Sequence, residues 1–117
     1  FIAPTNGKIS QGLHWYNAVD FANSCGSPIF AAAGGEVLKV KYGWNLGAGN
    51  VLTVLHPNGV VTSYGHIQKS LVNPGEQVSQ GQIIALIGGQ PGTPGAGIST
   101  GCHVHFSVIG GANLFAR

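Results

Sequence analysis

The chain carries little charge and none of it is clustered. Only 7% of its 117 residues are charged, with five Lys or Arg against three Asp or Glu, and the formal net charge is +2. No basic run is present to follow a phosphate backbone, which argues against nucleic acid as a partner. No apolar run reaches the roughly 18 residues that a membrane span needs. The first residues also lack the order of charges and apolar side chains that marks a signal peptide.

Cysteine is scarce as well, since it occurs only as Cys25 and Cys102. An even pair in a Gly-rich chain favours a disulfide and an oxidising compartment. A structural Cys/His zinc site is the weaker alternative, because no C-x-x-C pair is present. The length suffices for one domain with its own core. We expect a single domain over residues 1–117, as a mature form or as one part of a longer protein.

Glycine, in contrast, is abundant, with 20 copies. Short apolar or alternating runs lie between Gly, Pro and Asn clusters, and no stretch keeps a helical period. This pattern predicts an all-β fold, an antiparallel β-sandwich or open barrel. The predicted strands cover 18–22, 28–33, 35–42, 50–56, 60–66, 82–87 and 102–109.

Turn and loop residues divide these strands. Pro57-Asn58-Gly59 predicts a hairpin in which Asn-Gly supplies the positive φ angles of a tight turn. The Gly-rich segments 43–49 and 88–101 predict two long surface loops. We expect these loops to flank a groove and to form its walls.

Five histidines and a single aspartate are the chemically notable residues. If 102–109 is a strand, His103 and His105 point to the same face, because side chains alternate. Asp20 lies among apolar residues, where a carboxylate needs a partner, a metal ion or a turn. A catalytic zinc site typically has three protein ligands and one water. His14, Asp20 and one of the paired histidines would supply that set.

Ordinary structural roles remain open for several of these residues. His14 taken alone is also consistent with a surface or core histidine, and His66 alone is ambiguous. His56 is most simply a residue of the hairpin turn. Trp44 and Tyr64 are more simply packing residues than ligand contacts.

Four segments in order resemble the M23 peptidases of the lysostaphin and LytM type, over about residues 2–109. His14 to Asp20, followed by 25–37, is similar to the first motif of that family. Tyr64-Gly65-His66-Ile67 resembles its Tyr-Ala-His-Leu motif, and 78–88 resembles its V-x-x-G-x-x-I-x-x-x-G corner. Cys102-His103-Val104-His105-Phe106 resembles its terminal His-x-His strand.

The resemblance implies one zinc ion per chain, held by His14, Asp20 and His105, with His66 and His103 unligated beside it as catalytic groups. Zinc lowers the pKa of its bound water and polarises a carbonyl, while imidazoles move protons or stabilise an oxyanion. The implied activity is hydrolysis of peptide bonds in bacterial peptidoglycan. The implied location is extracellular, periplasmic or in the cell envelope, with further domains or a pro-segment in the full-length protein.

The spacing of the first motif departs from the family pattern. Five residues separate His14 from Asp20, whereas the family more often has three, and we expect a β-bulge or a longer loop to absorb the difference. A Cys25–Cys102 bridge would brace the site and contribute about 4 kcal/mol by the loop-entropy model.

Two other functions are compatible with the fold. One is a non-catalytic module of the same fold that binds the wall or activates hydrolases; such modules usually lack zinc ligands, whereas every expected position is filled here. The other is a biotinyl or lipoyl carrier, which needs a Lys at a hairpin tip where this chain has Pro57-Asn58-Gly59.

Overall fold

A computed structural model of the chain describes residues 2–6, 18–44, 49–90 and 101–110, together with the backbone of 8–14. This part of the chain contains ten strands: β1 (Lys8–His14), β2 (Ala18–Ala22), β3 (Pro28–Phe30), β4 (Gly35–Lys41), β5 (Val51–Leu55), β6 (Val61–Gly65), β7 (Ile67–Ser70), β8 (Gln77–Val78), β9 (Ile83–Ile87) and β10 (His103–Ile109). The described residues include no helix, and so none that is long and apolar enough to cross a membrane.

The strands form two antiparallel sheets. The larger has seven strands in the order β1-β2-β10-β6-β5-β4-β8, and the smaller has three in the order β3-β9-β7. The predicted all-β fold is therefore confirmed. The last strand in chain order, β10, lies between β2 and β6. This insertion brings the N-terminal part of the chain beside its C-terminal part.

One face of the seven-stranded sheet contributes to a core shared with the three-stranded sheet. Alternate residues of β5, β6 and β10 are fully buried, including Leu52, Tyr64 and Phe106, and they pack in one cluster with Ile29 and Ile84 of the smaller sheet. Each large apolar side chain buried in this way stabilises the fold by about 1.5–3 kcal/mol. The opposite face of the large sheet is left to carry polar side chains.

The β5–β6 hairpin forms where it was predicted, but its turn is of another type. Gly59 has a φ of 85°, whereas Asn58 is not among the described residues with positive φ. Gly59 donates its N–H to the carbonyl of His56 at 2.9 Å. The central residues of this turn are Pro57 and Asn58, and Pro57 restricts φ to about −65°, as the first central residue of a type I turn requires. The loop is therefore a turn that ends in a single left-handed glycine.

Three strands were not predicted from the sequence. β1, β7 and β8 are short or polar, so they lack the apolar alternation that indicates a strand, and pairing with a neighbour decides their conformation. The predicted strand over 28–33 ends at Phe30. Residues 45–48 and 91–100 of the two predicted Gly-rich loops lie outside the described residues.

Candidate active site

The candidate site is built on the central strands of the large sheet. His105 of β10 is paired with Asp20 of β2 on one side and with Gly65 of β6 on the other. Residues opposite each other in an antiparallel pair have side chains on the same face. Asp20 and His105 therefore project together, away from the core side of β10 that carries Val104 and Phe106.

The carboxylate of Asp20 contacts two imidazoles. His105 donates from Nδ1 to Oδ1 of Asp20 at 3.0 Å, and Nε2 of His103 lies 3.8 Å from Oδ2. The side chains of Asp20, His103 and His105 are only 11%, 14% and 17% exposed. The carboxylate is thus shielded from water and faced by nitrogen atoms, which strengthens its interaction with any positive charge at this point.

The ring of His103 is oriented by a hydrogen bond to the backbone just before β10. Its Nδ1 donates to the carbonyl of Gly101 at 2.8 Å. Because a carbonyl oxygen only accepts, this bond places the proton on Nδ1 and leaves Nε2 facing Asp20.

His66 joins this group from the corner between the two sheets. It follows β6 directly, it is only 4% exposed, and its ring centroid lies 4.5 Å from that of His103 and 5.9 Å from that of His105. Its φ is +60°, which makes it the one non-glycine residue with positive φ in the described ranges. Such a conformation costs free energy in a residue with a Cβ, and strained backbone of this kind clusters at functional sites.

Gly88 is hydrogen-bonded to the backbones of both His66 and His103. Its N–H donates to the carbonyl of His66 at 2.9 Å, and its carbonyl accepts the N–H of His103 at 3.2 Å. A Cβ at this position would lie 2.7 Å from the His66 carbonyl oxygen and 2.7 Å from the Gln68 nitrogen. Gly88 was not predicted as a site residue from the sequence, although it is the final glycine of the corner motif at 78–88.

Cys25 and Cys102 are joined by a disulfide, with their Cα atoms 5.2 Å apart. Cys102 immediately precedes His103 and is partly buried against the core. β2 carries Asp20, and β10 carries His103 and His105. The bridge joins the segment that follows β2 to the residue that precedes β10.

His14 occupies the end of β1, where its backbone pairs with Ala18, two residues before Asp20. The β1–β2 register shifts between Gln11 and His14, so the pairing is irregular where the long His-to-Asp spacing falls. The side chain of His14 lies outside the described part of the structure. Among the residues that are described, no set of three His, Cys, Asp or Glu side chains is arranged to hold a metal ion.

The described donors nevertheless fit a zinc ion in their chemistry and spacing. Carboxylate oxygen and imidazole nitrogen are both zinc ligands, and two ligands of one tetrahedral ion at about 2.0 Å are about 3.3 Å apart. The 3.0 Å between Nδ1 of His105 and Oδ1 of Asp20 is close to that spacing.

His56 belongs to a different hydrogen-bond network, and it contributes more than its position beside the hairpin turn. Its ring is buried, donates from Nδ1 to the carbonyl of Gly34 at 2.8 Å, and accepts at Nε2 from Thr62 at 2.9 Å. Thr62 is bonded in turn to the Tyr64 hydroxyl, which accepts the N–H of Ala32. Burial raises the pKa of Tyr64, although its hydrogen bonds to Ala32 and Thr62 act in the opposite direction. This polar chain ties the hairpin to the segment before β4.

The structure thus combines an all-β fold with a carboxylate and three imidazoles gathered at one place. The chain matches the model of Peptidase family M23 over residues 14–115 and belongs to that family.

Individual relatives extend this comparison. Peptidoglycan DD-endopeptidase ShyC of Vibrio cholerae is 36% identical over 106 residues, which is 91% of this chain and 22% of that protein. A zinc-containing peptidase from Vibrio cholerae is similar in structure with a TM-score of 0.77 and 32% identity, covering 92% of this chain and 35% of the other. Lysostaphin from Staphylococcus simulans is similar with a TM-score of 0.75 and 30% identity, covering 96% and 47%. The chain thus spans less than half the length of each.

Proposed function

We propose that the protein is a zinc-dependent endopeptidase that hydrolyses peptide bonds in bacterial peptidoglycan, with one zinc ion held by His14, Asp20 and His105. The observation that carries this proposal is the 3.0 Å contact between His105 and Asp20, made by directly opposed residues on one sheet face. Membership of the M23 family and the name of the ShyC relative support the reaction and the substrate.

A bound zinc would supply Lewis-acid polarisation of the scissile carbonyl and would lower the pKa of a coordinated water. The residues of the chain would move the proton. His103 holds Nε2 toward the site because Nδ1 is bonded to Gly101, so Nε2 is the atom that would take a proton from the attacking water. His66 is buried against His103 and would stabilise the developing oxyanion. No Glu is needed as a base.

The proposed substrate also sets the proposed location, since peptidoglycan lies outside the cytoplasmic membrane. We propose action in the periplasm, the cell envelope or the extracellular space, where the Cys25–Cys102 bridge would persist. The short coverage of the relatives supports further domains or a pro-segment in the full-length protein.

The test measures bound metal by elemental analysis and hydrolysis of purified peptidoglycan on the same samples. The parent protein should hold about one zinc per chain and cleave peptidoglycan. Asp20→Ala and His105→Ala should lose both zinc and cleavage, because each removes a proposed ligand. His66→Ala and His103→Ala should keep zinc and lose most turnover.

Other results would contradict parts of the proposal. Full zinc and unimpaired cleavage in His105→Ala would remove the ligand assignment. Zinc in the parent protein without cleavage of any peptidoglycan would favour the non-catalytic binding module. Absence of zinc under metal-replete conditions would contradict the metal centre itself.

A further inference from the structure

The face of the large sheet that carries the histidines continues toward β4 as a strip made of two rows of residues. At the level of His105 the strand register aligns one residue from each of five neighbouring strands, in the order Asp20, His105, Gly65, Val51 and Lys41. Directly opposed residues share a face, so Lys41 projects from the same face as Asp20 and His105. The positions between them carry no charge and only small side chains.

A second row lies two residues further along the strands. It consists of Ala18, Ser107, Ser63, Thr53 and Lys39, in strand order. Its interior positions are small hydroxyl side chains, and Thr53 Oγ1 is a buried atom with no hydrogen-bond partner among the described residues. The strip is therefore polar but uncharged until it reaches β4.

Lys39 and Lys41, which are both exposed residues, end this strip on one face of β4. They are two of the five Lys or Arg residues in the whole chain. The acidic residue of the same strand, Glu36, is paired with Leu55 and so lies one row beyond Lys39, farther from the His105 row. The lysines thus face the histidine side of the strip without an intervening carboxylate in either row.

From this arrangement we propose that Lys39 and Lys41 form a subsite for a carboxylate of the peptide substrate. The inference rests on the proposed peptidase function and names the part of the substrate that is recognised. Two lysines on neighbouring positions of one face attract a carboxylate by charge, and the positions between them and His105 carry only small, uncharged side chains along which an extended peptide would lie.

The strand spacing sets the position of that carboxylate. Three steps separate β10 from β4 in the sheet, and strands lie about 4.8 Å apart, so Lys41 is about 14 Å from His105. An extended peptide advances about 3.3 Å per residue. The bound carboxylate should therefore lie about four residues from the scissile bond.

The test compares K39Q/K41Q with the parent protein on soluble peptide dimers released from peptidoglycan. The double variant should raise KM roughly threefold to tenfold and leave kcat nearly unchanged, because two exposed charge contacts of modest strength are lost. K69Q removes one lysine charge from β7 in the smaller sheet and is the control for loss of a surface lysine outside the strip; the single variants K39Q and K41Q match it in charge. K69Q should leave KM unchanged.

Amidated substrate identifies the group that is bound. On dimers whose carboxylates have been converted to amides, the parent and K39Q/K41Q should have equal KM. An equal loss on native and amidated dimers, or an equal loss in K69Q, would overturn the subsite.

Sedimentation with intact peptidoglycan sacculi measures binding apart from cleavage when both proteins also carry His103→Ala, which should remove turnover, and it tests the subsite even if the peptidase function fails. The parent should bind native sacculi more tightly than K39Q/K41Q does, and this difference should vanish on amidated sacculi. Indistinguishable binding of parent and double variant to native sacculi would refute the proposal.

Discussion

Substitution of Gly88 by alanine should displace His66 and His103 while sparing the Asp20–His105 contact. The new Cβ would lie 2.7 Å from the carbonyl oxygen of His66, whereas ordinary van der Waals contact begins at 3.4 Å. The contacted atoms belong to the backbone, which cannot rotate away as a side chain does. The corner at His66 must therefore move by about 0.7 Å, or the protein must lose that packing.

Both consequences have an expected size. Overpacking of this kind destabilises a domain by about 1–3 kcal/mol. A catalytic group displaced by about 1 Å costs about 10²-fold in rate, so Gly88→Ala should lose most of kcat. Asp20 and His105 do not contact Gly88 through any of these bonds, so the variant should keep the zinc that we propose they hold.

The assay measures kcat, KM, bound zinc and the midpoint of urea unfolding in the same preparation. Gly101→Ala is the matched control, because a Cβ there has nothing within 4 Å. That variant should retain both activity and stability. If Gly88→Ala stayed folded with the kcat of Gly101→Ala, the positioning argument for Gly88 would be refuted.

Three further predictions concern stability. The free energy of unfolding in urea should be about 1 kcal/mol higher for His66→Gly than for His66→Ala, since both lack the ring but only glycine adopts a φ of +60° without penalty. Equal stabilities would contradict a strained corner. Thr53→Val should leave the free energy of unfolding unchanged or raise it by up to about 1 kcal/mol, because the Thr53 hydroxyl has no described partner. Thr62→Val should lower the free energy of unfolding by about 1–3 kcal/mol, because it breaks a buried hydrogen-bonded chain. The pKa of Tyr64 is raised in the folded state, so the folded protein keeps a proton that the unfolded chain loses near pH 10.0. The stabilisation from this neutral phenol is complete below pH 10 and is lost as the pH rises through the folded pKa. The urea midpoint of the parent should therefore fall above pH 10, and Tyr64→Phe should be less stable but should show a smaller fall.

The strands with apolar alternation could be predicted from the sequence, and those decided by partners could not. β5, β6 and β10 largely alternate between buried and partly buried positions, and the matching alternation of residue types is a local signal of a half-buried strand. β1 has the sequence KISQGLH, which contains no such alternation, and its strand conformation depends on pairing with β2. The local sequence pattern therefore predicts the half-buried inner strands, whereas pairing with a neighbouring strand determines an edge strand such as β1.

The candidate site shows the same division. Strand parity placed His103 and His105 on one face, and the structure positions them so around Asp20. Nothing local marks His66 as a residue with positive φ, because that conformation is imposed by the corner between the two sheets. His56 was assigned to the turn from its position beside Pro57, yet a carbonyl 22 residues earlier fixes its ring. Long-range contacts of this kind leave no trace in a short segment.

The position of β10 also controls when the site can exist. β10 is the last of the described strands in chain order but lies in the interior of the seven-stranded sheet, and the His105–Asp20 contact joins residues 85 positions apart. During synthesis, a chain that has not yet released residues 103–109 has no partner for the facing edges of β2 and β6. Contacts of such high sequence separation form slowly, because a long loop must first be closed. A nascent chain therefore carries no assembled site, and loss of these last strand residues would leave two open sheet edges prone to aggregation.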